Sequence, residues 1–371
     1  MNTAWTRTAV SERLGLRWPL IQGPFGGGLS SVDLTVAVSA AGGLGSFGAH
    51  HLDAAAIEAT AAAIRARTDR PFALNLWIPH QGSDDAAQAS AFLEARDALA
   101  PLFDELGVPL PDCPARYAPP FDEQFEALLR VRPAVFSFVF GAPPPAALER
   151  CRAAGILTLG AATTVAEARW LEAAGVDMVV ATGFEAGGHR VSFLDEPEAV
   201  LTGGLSLLPQ VADAVRIPVV AAGGIADARG MAAALTLGAQ AVQIGTAFLA
   251  CEESGASALH RAQLFSPAAE RTGLTRVFSG RLARGIRNRL MDDPPAPPAH
   301  YPLQNWLLGR LRTAATEAGR SDLMSLWCGQ SAPLLRHRRA DALIRALVEG
   351  VDALYARRGP CAGRRMGASA D

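Results

Sequence analysis

A single histidine follows two glycines in the segment Thr182–Arg190, which reads TGFEAGGHR. The side chain of His189 titrates near neutrality, so it can take up or stabilise a proton without extreme tuning of its pKa. The glycines on either side of Glu185 and Ala186 allow this loop to pass close to a planar ring. A lone histidine is usually structural, but this one follows a predicted strand end beside a double glycine. We therefore predict that His189 is catalytic.

Two glycine-containing segments have the composition of a phosphate-binding site. They are Ala222–Gly224 and Gln243–Thr246, and each comes at the end of an apolar run. Glycine allows backbone N–H groups to approach an anion, and the amino end of a following helix adds a favourable dipole. One such segment would be explained by a tight turn alone. Two successive ones predict a joint site for the phosphate of a flavin or a sugar.

Other polar residues near predicted strand ends are open to two interpretations. Asn75 lies inside the apolar run Phe72–Trp77, where a buried amide must find hydrogen-bond partners. The edge of an isoalloxazine ring would supply them, and so would the protein itself. His50 and His51 could line the same site or lie on the surface. The five arginines between residues 276 and 289 could hold an anion, but we favour ion pairs with acidic side chains for most of them.

These residues need a scaffold that brings the ends of several strands together. Eight short apolar runs alternate with amphipathic stretches as far as about residue 250. The runs are Pro19–Gly23, Gly43–Phe47, Phe72–Trp77, Ala134–Phe140, Ile156–Ala161, Asp177–Ala181, Pro218–Ala222 and Ala241–Gly245. Seven of them lack the alternation of a half-exposed strand, as parallel strands covered on both faces do. Eight βα units predict an α/β fold, a closed (β/α)₈ TIM barrel, with a doubly wound open sheet as the alternative.

Two segments interrupt this alternation. Residues 79–132 form an insertion that is too long for an ordinary βα connection. We predict that this insertion and residues 256–356 form a smaller, mostly helical cap over the mouth of a barrel domain made by residues 1–255. Residues 357–371 are predicted to be a disordered tail. The helical stretches with the clearest pattern are Asp53–Arg67, Thr164–Ala174, Asp227–Leu237, Leu303–Ala318 and Asp341–Ala356.

The composition of the 371-residue chain argues against several classes of function. Lys and Arg number 34 against 36 Asp and Glu, so the formal charge of −2 argues against nucleic acid or an anionic membrane as a partner. The five cysteines are dispersed without a C-x-x-C pair, which argues against a zinc site or a disulfide framework. No segment has the apolar length of a signal peptide or a membrane span. We therefore predict a cytoplasmic enzyme with a small-molecule substrate and no metal site.

Together the motifs resemble the nitronate monooxygenases, formerly called 2-nitropropane dioxygenases, from about Pro19 to Gly329. The similar stretches are AGGLGS at 41–46, FVFG at 138–141, EAGGHR at 185–190, AGGI at 222–225, QIGT at 243–246, SGRLARG at 279–285 and WCGQ at 327–330. This resemblance implies a TIM barrel that binds FMN non-covalently and oxidises alkyl nitronates with O₂ to carbonyl compounds and nitrite. It implies that His189 is the catalytic residue, as a base or as a group that orients the anion. The residues predicted to contact FMN are Gly23, Pro24, Phe25, Asn75, Thr182, Gly187, Gly188, Ala222, Gly223, Gly224, Gln243, Ile244, Gly245 and Thr246.

Three positions near the predicted pocket depart from the family pattern. Thr182 stands where the family usually has Gln, Phe25 where Met is common, and Val191 where Gly is usual. His189 and both phosphate segments are intact. We therefore expect these differences to affect the identity of the substrate rather than the binding of FMN.

Two other functions are compatible with the sequence. One is an NAD(P)H-dependent FMN reductase of quinones or enoyl thioesters, since such enzymes share the barrel and parts of these loops. The other is a flavin-binding protein without catalytic activity, against which the intact His189 weighs. No G-x-G-x-x-G segment follows a predicted strand, which mildly favours nitronate oxidation over NAD(P)H chemistry. The sequence also leaves a homodimer open.

Overall fold

Eight parallel strands form the centre of the molecule. The computed structural model describes residues 3–79 and 85–357, so residues 80–84 of the insertion and all but Arg357 of the predicted tail lie outside the described residues. In chain order the strands are β1 (Leu20–Gln22), β2 (Gly45–Gly48), β3 (Phe72–Trp77), β4 (Val135–Val139), β5 (Leu157–Ala162), β6 (Met178–Thr182), β7 (Gly188–His189), β8 (Val219–Ala222), β9 (Ala241–Ile244), β10 (Thr272–Thr275) and β11 (Ala283–Ile286). All except β7, β10 and β11 belong to one sheet.

This sheet closes into a barrel. Its order is β1-β9-β8-β6-β5-β4-β3-β2, with every neighbouring pair parallel. The ends of the sheet meet at Leu44, whose amide donates to the Leu20 carbonyl at 2.8 Å and whose carbonyl accepts from the Gln22 amide at 2.9 Å. The predicted TIM barrel is confirmed, with a strand at each of the eight apolar runs. The alternative prediction of an open doubly wound sheet is wrong.

Neighbouring residues of a barrel strand face opposite sides, because strand side chains have a period of two. Met178 and Val180 of β6 belong to the hydrophobic cluster in the barrel interior, whereas Val179 and Ala181 belong to the larger cluster between the strands and the helices. All four side chains are buried. Burial on both faces explains why the strands show no polar–apolar alternation in the sequence.

Helices surround the barrel, and several of them begin at residues whose side chains cap them. They are α1 (Ala9–Leu14), α2 (Val32–Ala40), α3 (Ala54–Arg65), α4 (Asp85–Glu105), α5 (Phe121–Val131), α6 (Pro145–Ala153), α7 (Val165–Ala173), α8 (Gly204–Ala214), α9 (Ala228–Thr236), α10 (Thr246–Leu249), α11 (Ala258–Leu264), α12 (Arg289–Asp292), α13 (Leu303–Glu317) and α14 (Ala340–Arg357). Asp53, Thr164 and Asp227 accept backbone N–H bonds through their side chains at the starts of α3, α7 and α9. All five predicted helical stretches are confirmed to within two residues at each end.

The insertion supplies two helices with different partners. α5 packs against α3 and so takes the place of an ordinary barrel helix after β3. α4 packs against α13 of the C-terminal segment, where the ring of Phe92 lies 6.0 Å from that of Trp306, centroid to centroid. Within the described part of the insertion, only α4 and the chain around it therefore lie outside the ring of barrel helices.

The C-terminal segment is less helical than predicted, because β10 and β11 form an antiparallel sheet with β7. α14 packs against α2 and α9, so it lies in the ring of helices around the barrel rather than in the cap. An amphipathic pattern indicates that one face is buried but not which elements bury it. A domain boundary at residue 255 stays a prediction. Within the described part of the chain, no helix combines the length and the apolar character that crossing a membrane requires.

Candidate active site

A cavity of about 250 Å³ lies at the carboxyl ends of the barrel strands. The C-terminal segment contributes Asn305, Arg312 and Trp327 to its wall, so this segment lies over the barrel mouth. The predicted site residues that line the cavity are Gly23, Pro24, Phe25, Asn75, Thr182, Gly187, Gly188, His189, Ala222, Gly223, Gly224, Gln243, Gly245 and Thr246. The structure thus brings together every predicted site residue except Ile244.

The side chain of Ile244 does not face the cavity. It is fully buried between the strands and the helices, because it follows the cavity-lining Gln243 and successive strand side chains point to opposite faces. Its carbonyl accepts a hydrogen bond from the Gly23 amide at 2.8 Å. Ile244 therefore supports the wall of the cavity from behind.

The loops after β8 and β9 present backbone rather than side chains to the cavity. Gly223 and Gly224 have φ values of 95° and 73°, and a Cβ atom on Gly224 would lie no closer than 3.7 Å to its neighbours. α10 begins directly after Gly245, with no side chain capping it. At α9, by contrast, the carboxylate of Asp227 accepts the first free N–H groups. Of the two helices expected to contribute a dipole, only α10 has an open amino end.

These loops form a cradle that suits a phosphate. A Cβ atom on Gly224 would already contact the Glu185 side chain at 3.7 Å, so a larger side chain has little room at this loop. None of the described residues that line the cavity carries a carboxylate. An anion held there therefore meets backbone N–H groups and positive or neutral side chains, which fits the phosphate of FMN.

Two predicted cofactor contacts also contact the protein. A Cβ atom on Gly187 would lie 2.5 Å from the amide nitrogen of Gly329, so this glycine is required where the two chain segments touch. The amide of Asn75 is buried and donates to the Ser137 hydroxyl at 3.0 Å. Both residues line the cavity as well, so a structural role and a cofactor contact are compatible at each.

His189 lies in a short antiparallel pairing rather than in a free loop. It is a residue of β7 and pairs with Ala283 of β11. Its ring lies 5.0 Å from that of Trp77 and 5.3 Å from that of Trp327, centroid to centroid. Burial lowers the pKa of His189 to about 3, and the nearby positive charges of Arg281 and Arg312 add to this shift. The imidazole is therefore neutral at physiological pH, but it is a weaker base than the near-neutral side chain that the sequence predicts, because burial disfavours its protonated form.

Ser279 is the hydrogen-bond partner of one nitrogen of His189. The Nε2 atom of His189 lies 2.8 Å from the Ser279 hydroxyl oxygen, which also lies 3.2 Å from the carbonyl oxygen of Arg281. A hydroxyl that donates to the Arg281 carbonyl accepts from an Nε2–H group. In that arrangement Nδ1 of His189 carries the lone pair.

Two arginines beside the cavity have no acidic partner among the described residues. The guanidinium of Arg281 lies 3.8 Å from the centroid of the Phe140 ring and 4.2 Å from that of Tyr301, and its Nη1 atom is buried without a hydrogen-bond partner. Burial lowers the pKa of Arg281 to about 10, so it remains charged. Arg312 lines the cavity beside Asn305, to which it donates at 3.4 Å.

The sequence interpretation, which favoured ion pairs for most of the five arginines, is therefore confirmed. Arg276, Arg287 and Arg289 form the expected ion pairs with acidic side chains. Arg284 donates instead to the carbonyl of Phe184 and to a threonine. The spacing of the arginines does not distinguish these cases, because the partners of Arg276 and Arg289 lie far away in the chain and only that of Arg287 is nearby.

His50 is a cavity residue that the sequence left undecided. Its ring stacks on that of Trp77, with centroids 3.9 Å apart and an angle of 8° between the planes. Its Nδ1 atom is buried and has no hydrogen-bond partner. Burial holds the pKa of His50 well below its usual range, and His51, His189, Arg281 and Arg312 lower it further. The imidazole of His50 is thus also neutral, and His51 lines the cavity as well.

Comparison with known proteins distinguishes this barrel from others with the same architecture. The sequence profile described as nitronate monooxygenase matches residues 7–350. The chain belongs to the nitronate monooxygenase family. It is therefore an oxidoreductase of a flavin-dependent family that acts on nitronates.

Individual relatives agree with this assignment. A nitronate monooxygenase of Pseudomonas aeruginosa is 45% identical over 343 residues, which cover 91% of this chain and 97% of that protein. The solved structure of a nitroalkane oxidase from Streptomyces ansochromogenes is 39% identical, with a TM-score of 0.87, and the match covers 94% of this chain and 99% of that one. A structure of FabK from Thermotoga maritima is 26% identical, with a TM-score of 0.73, covering 95% and 98% of the two chains.

The three positions that were expected to depart from the family pattern all lie at the cavity. Phe25, Thr182 and Val191 each line it.

Proposed function

We propose that this nitronate monooxygenase family member binds FMN and uses it to oxidise alkyl nitronates with O₂, giving a carbonyl compound and nitrite. One observation carries the proposal. The neutral imidazole of His189, held by Ser279, shares a carboxylate-free cavity with both glycine loops. A proton acceptor and a phosphate cradle in one cavity are what a flavin enzyme acting on a carbon acid requires.

The cavity residues divide into two groups toward FMN. The backbone around Gly224, Gly245 and Thr246 would hold the phosphate, while Asn75 and Thr182 lie at strand ends where they would contact the edge of the ring system. When bound, FMN supplies the oxidising chemistry that no protein side chain offers.

The remaining groups suit a nitronate. Arg281 and Arg312 keep positive charge beside the cavity, which favours the bound anion over the neutral nitroalkane. The aromatic rings of Trp77 and Trp327 exclude water from one side. A nitronate is already deprotonated, so His189 has only to orient it, whereas a neutral nitroalkane needs His189 to remove its α-proton.

The cofactor is tested first. We expect the purified protein to be yellow and to release one FMN per chain, without FAD, because the cavity has a cradle for one phosphate. Mass spectrometry of the released cofactor measures this. Release of FAD, or a colourless protein that refuses added FMN, contradicts the proposal.

The reaction is tested by mixing the FMN-loaded protein anaerobically with NADH, NADPH and a small nitronate in separate experiments. We expect the nitronate alone to change the flavin spectrum rapidly, and nitrite to form once O₂ is admitted. Rapid bleaching by NADH or NADPH, with no response to the nitronate, would identify a pyridine-nucleotide-dependent reductase instead.

A further inference from the structure

His50 has a place in the cavity that the proposed role of His189 does not explain. It follows β2 and stacks face to face on Trp77, which also touches His189 through its edge. A Cβ atom on Gly26 would lie 2.3 Å from Cε1 of His50, so the loop can pass this ring only because residue 26 has no side chain. The imidazole is thus held between Trp77 and the chain at Gly26.

The polar edge of this ring has no partner in the protein. Nδ1 of His50 is buried and makes no hydrogen bond. Nearly all buried polar atoms in folded proteins have a partner, so an unpartnered atom on a residue that lines a cavity points to a ligand that supplies one. Ring stacking and the close approach of Gly26 keep the imidazole from turning toward another partner.

The chemistry of a nitro compound requires groups at two places. Removal of the α-proton breaks a C–H bond, and the electron pair moves to the nitro group, so that negative charge develops on its oxygens. His189 contacts Ser279 through Nε2, and in the tautomer whose Nε2–H donates to that hydroxyl, Nδ1 is the nitrogen that can take the proton. A second donor is needed at the oxygens, where a hydrogen bond strengthens as charge develops.

We propose that His50 is this second substrate-contacting residue, donating a hydrogen bond from Nδ1–H to a nitro or nitronate oxygen while His189 acts at the α-carbon. The proposal rests on the proposed function of the cavity. Arg312 supports this orientation, because it lies against Gly27 as His50 lies against Gly26, and places positive charge near the same loop. The oxygens carry most of the charge of a nitronate, so they bind at this end of the cavity.

Two variants separate hydrogen bonding from packing. His50→Phe keeps an aromatic ring on Trp77 and removes both nitrogens. His50→Asn gives up most of the stacking and keeps an amide near the position of Nδ1. Each is measured for FMN content, for kcat/KM with nitroethane and with preformed ethyl nitronate, and for binding of nitrate, a planar oxyanion that cannot be oxidised, by the change in flavin absorbance.

We expect His50→Phe to retain FMN but to lower kcat/KM by about 10- to 100-fold with both substrates, the usual effect of losing a hydrogen bond to a charged group. Nitrate binding should weaken to a similar degree, and His50→Asn should recover part of both. Unchanged kinetics and nitrate binding in His50→Phe would overturn the inference. Equal losses in both variants, accompanied by loss of FMN, would overturn it too, since they indicate packing alone.

The outcomes also separate this inference from the proposed function. A loss confined to nitroethane would make His50 a base and contradict the role proposed for it. If the wild-type protein does not oxidise nitronate, the proposed function fails. Weaker nitrate binding in His50→Phe would then still demonstrate the hydrogen bond from His50. Nitrate binding equal to that of the wild-type protein would contradict it.

Discussion

His50 and His189 face one cavity as neutral imidazoles, although two guanidiniums lie beside them. Burial is the largest cause of both lowered pKa values, and the charges of Arg281 and Arg312 contribute in the same direction. An arginine keeps its charge under the same burial, because its usual pKa is far higher. The positive charge of the cavity therefore resides on the arginines, and the histidines remain free for proton transfer and hydrogen bonding.

Replacement of His189 by Asn tests its proposed role. We expect turnover of a neutral nitroalkane to fall by a factor on the order of 10²–10⁴, the usual effect of a positioned base. Turnover of preformed nitronate should fall less, because only orientation is lost, and FMN content should be unchanged. Steady-state rates with both substrates measure the difference. Equal, small losses would mean that His189 is structural.

His260 should make stability depend on pH. It is 2% exposed and lies 3.1 Å from the Trp327 carbonyl through Nε2, and burial lowers its pKa to about 4. Below pH 6.5 the unfolded chain takes up a proton at this residue, whereas the folded protein does so only near pH 4. The free energy of unfolding should therefore fall as the pH drops through this window, by up to about 1.4 kcal/mol per pH unit.

The variant His260→Gln isolates this contribution from that of the cavity histidines, because Gln can still donate to the Trp327 carbonyl. Urea unfolding at several values between pH 6.5 and 4.5 gives the slope for each protein. We expect a shallower slope in the variant, by about one proton. Parallel slopes would show that His260 does not titrate differently in the folded state.

The elements around the cavity place each group by backbone pairing. β7 holds His189 opposite Ala283 of β11, only a few residues after Ser279, so one pairing brings the imidazole and its hydroxyl partner together. The loops after β8 and β9 leave backbone exposed where a phosphate would bind. A rigid strand end fixes where each loop begins, which keeps the distance between the His189 imidazole and the phosphate loops constant.

Gly224→Leu tests the phosphate cradle. A leucine there would crowd the loop against Glu185 at a backbone position with a φ of 73°, so we expect the Kd of FMN to rise by about 100-fold or more, equivalent to about 2.7 kcal/mol. Gly15→Leu is a matched control, since Gly15 has a similar φ of 63° but lies at the end of α1, outside the cavity wall. Fluorescence titration with FMN measures both. Equal affinity in the two variants would contradict the cradle.

At the barrel mouth, apolar packing and exposed ion pairs connect the insertion to the C-terminal segment. α4 of the insertion packs on α13, whose Arg312 lines the cavity. Glu105 at the end of α4 also forms ion pairs with Arg289 and Arg320. Exposed ion pairs contribute little to stability, whereas a buried aromatic ring contributes several kcal/mol. Apolar packing should therefore contribute most of the free energy that holds α4 against α13.

Two variants in α4 compare these contributions. Phe92 is fully buried against Trp306, so Phe92→Ala should lower the free energy of unfolding by about 3 kcal/mol or more. Glu105→Gln should lower it by less than about 1 kcal/mol, because its partners are partly exposed and screened by solvent. Urea unfolding of both proteins measures the difference. A larger effect of Glu105→Gln would reverse this assignment.

The barrel and the outline of the site were predictable because both depend on local patterns. Apolar runs without alternation follow from burial on both faces, and glycines at strand ends meet wherever parallel strands close into a barrel. Asp53 and Asp227 likewise predicted where helices begin, since a cap acts within one turn. Residues such as Gly224 and His189 could be assigned to the site for the same reason.

Only the tertiary structure decided which distant groups meet. Ser279 reaches His189 across 90 positions of the chain, and Arg281 lies among aromatic rings rather than beside a carboxylate. Periodicity predicted α14 but not its place in the ring, and it could not show that His50 stacks on Trp77. A local pattern records that a side chain is buried or polar. Which partner the side chain meets depends on how elements distant in the sequence pack together. The sequence of one element does not indicate which other element it will contact.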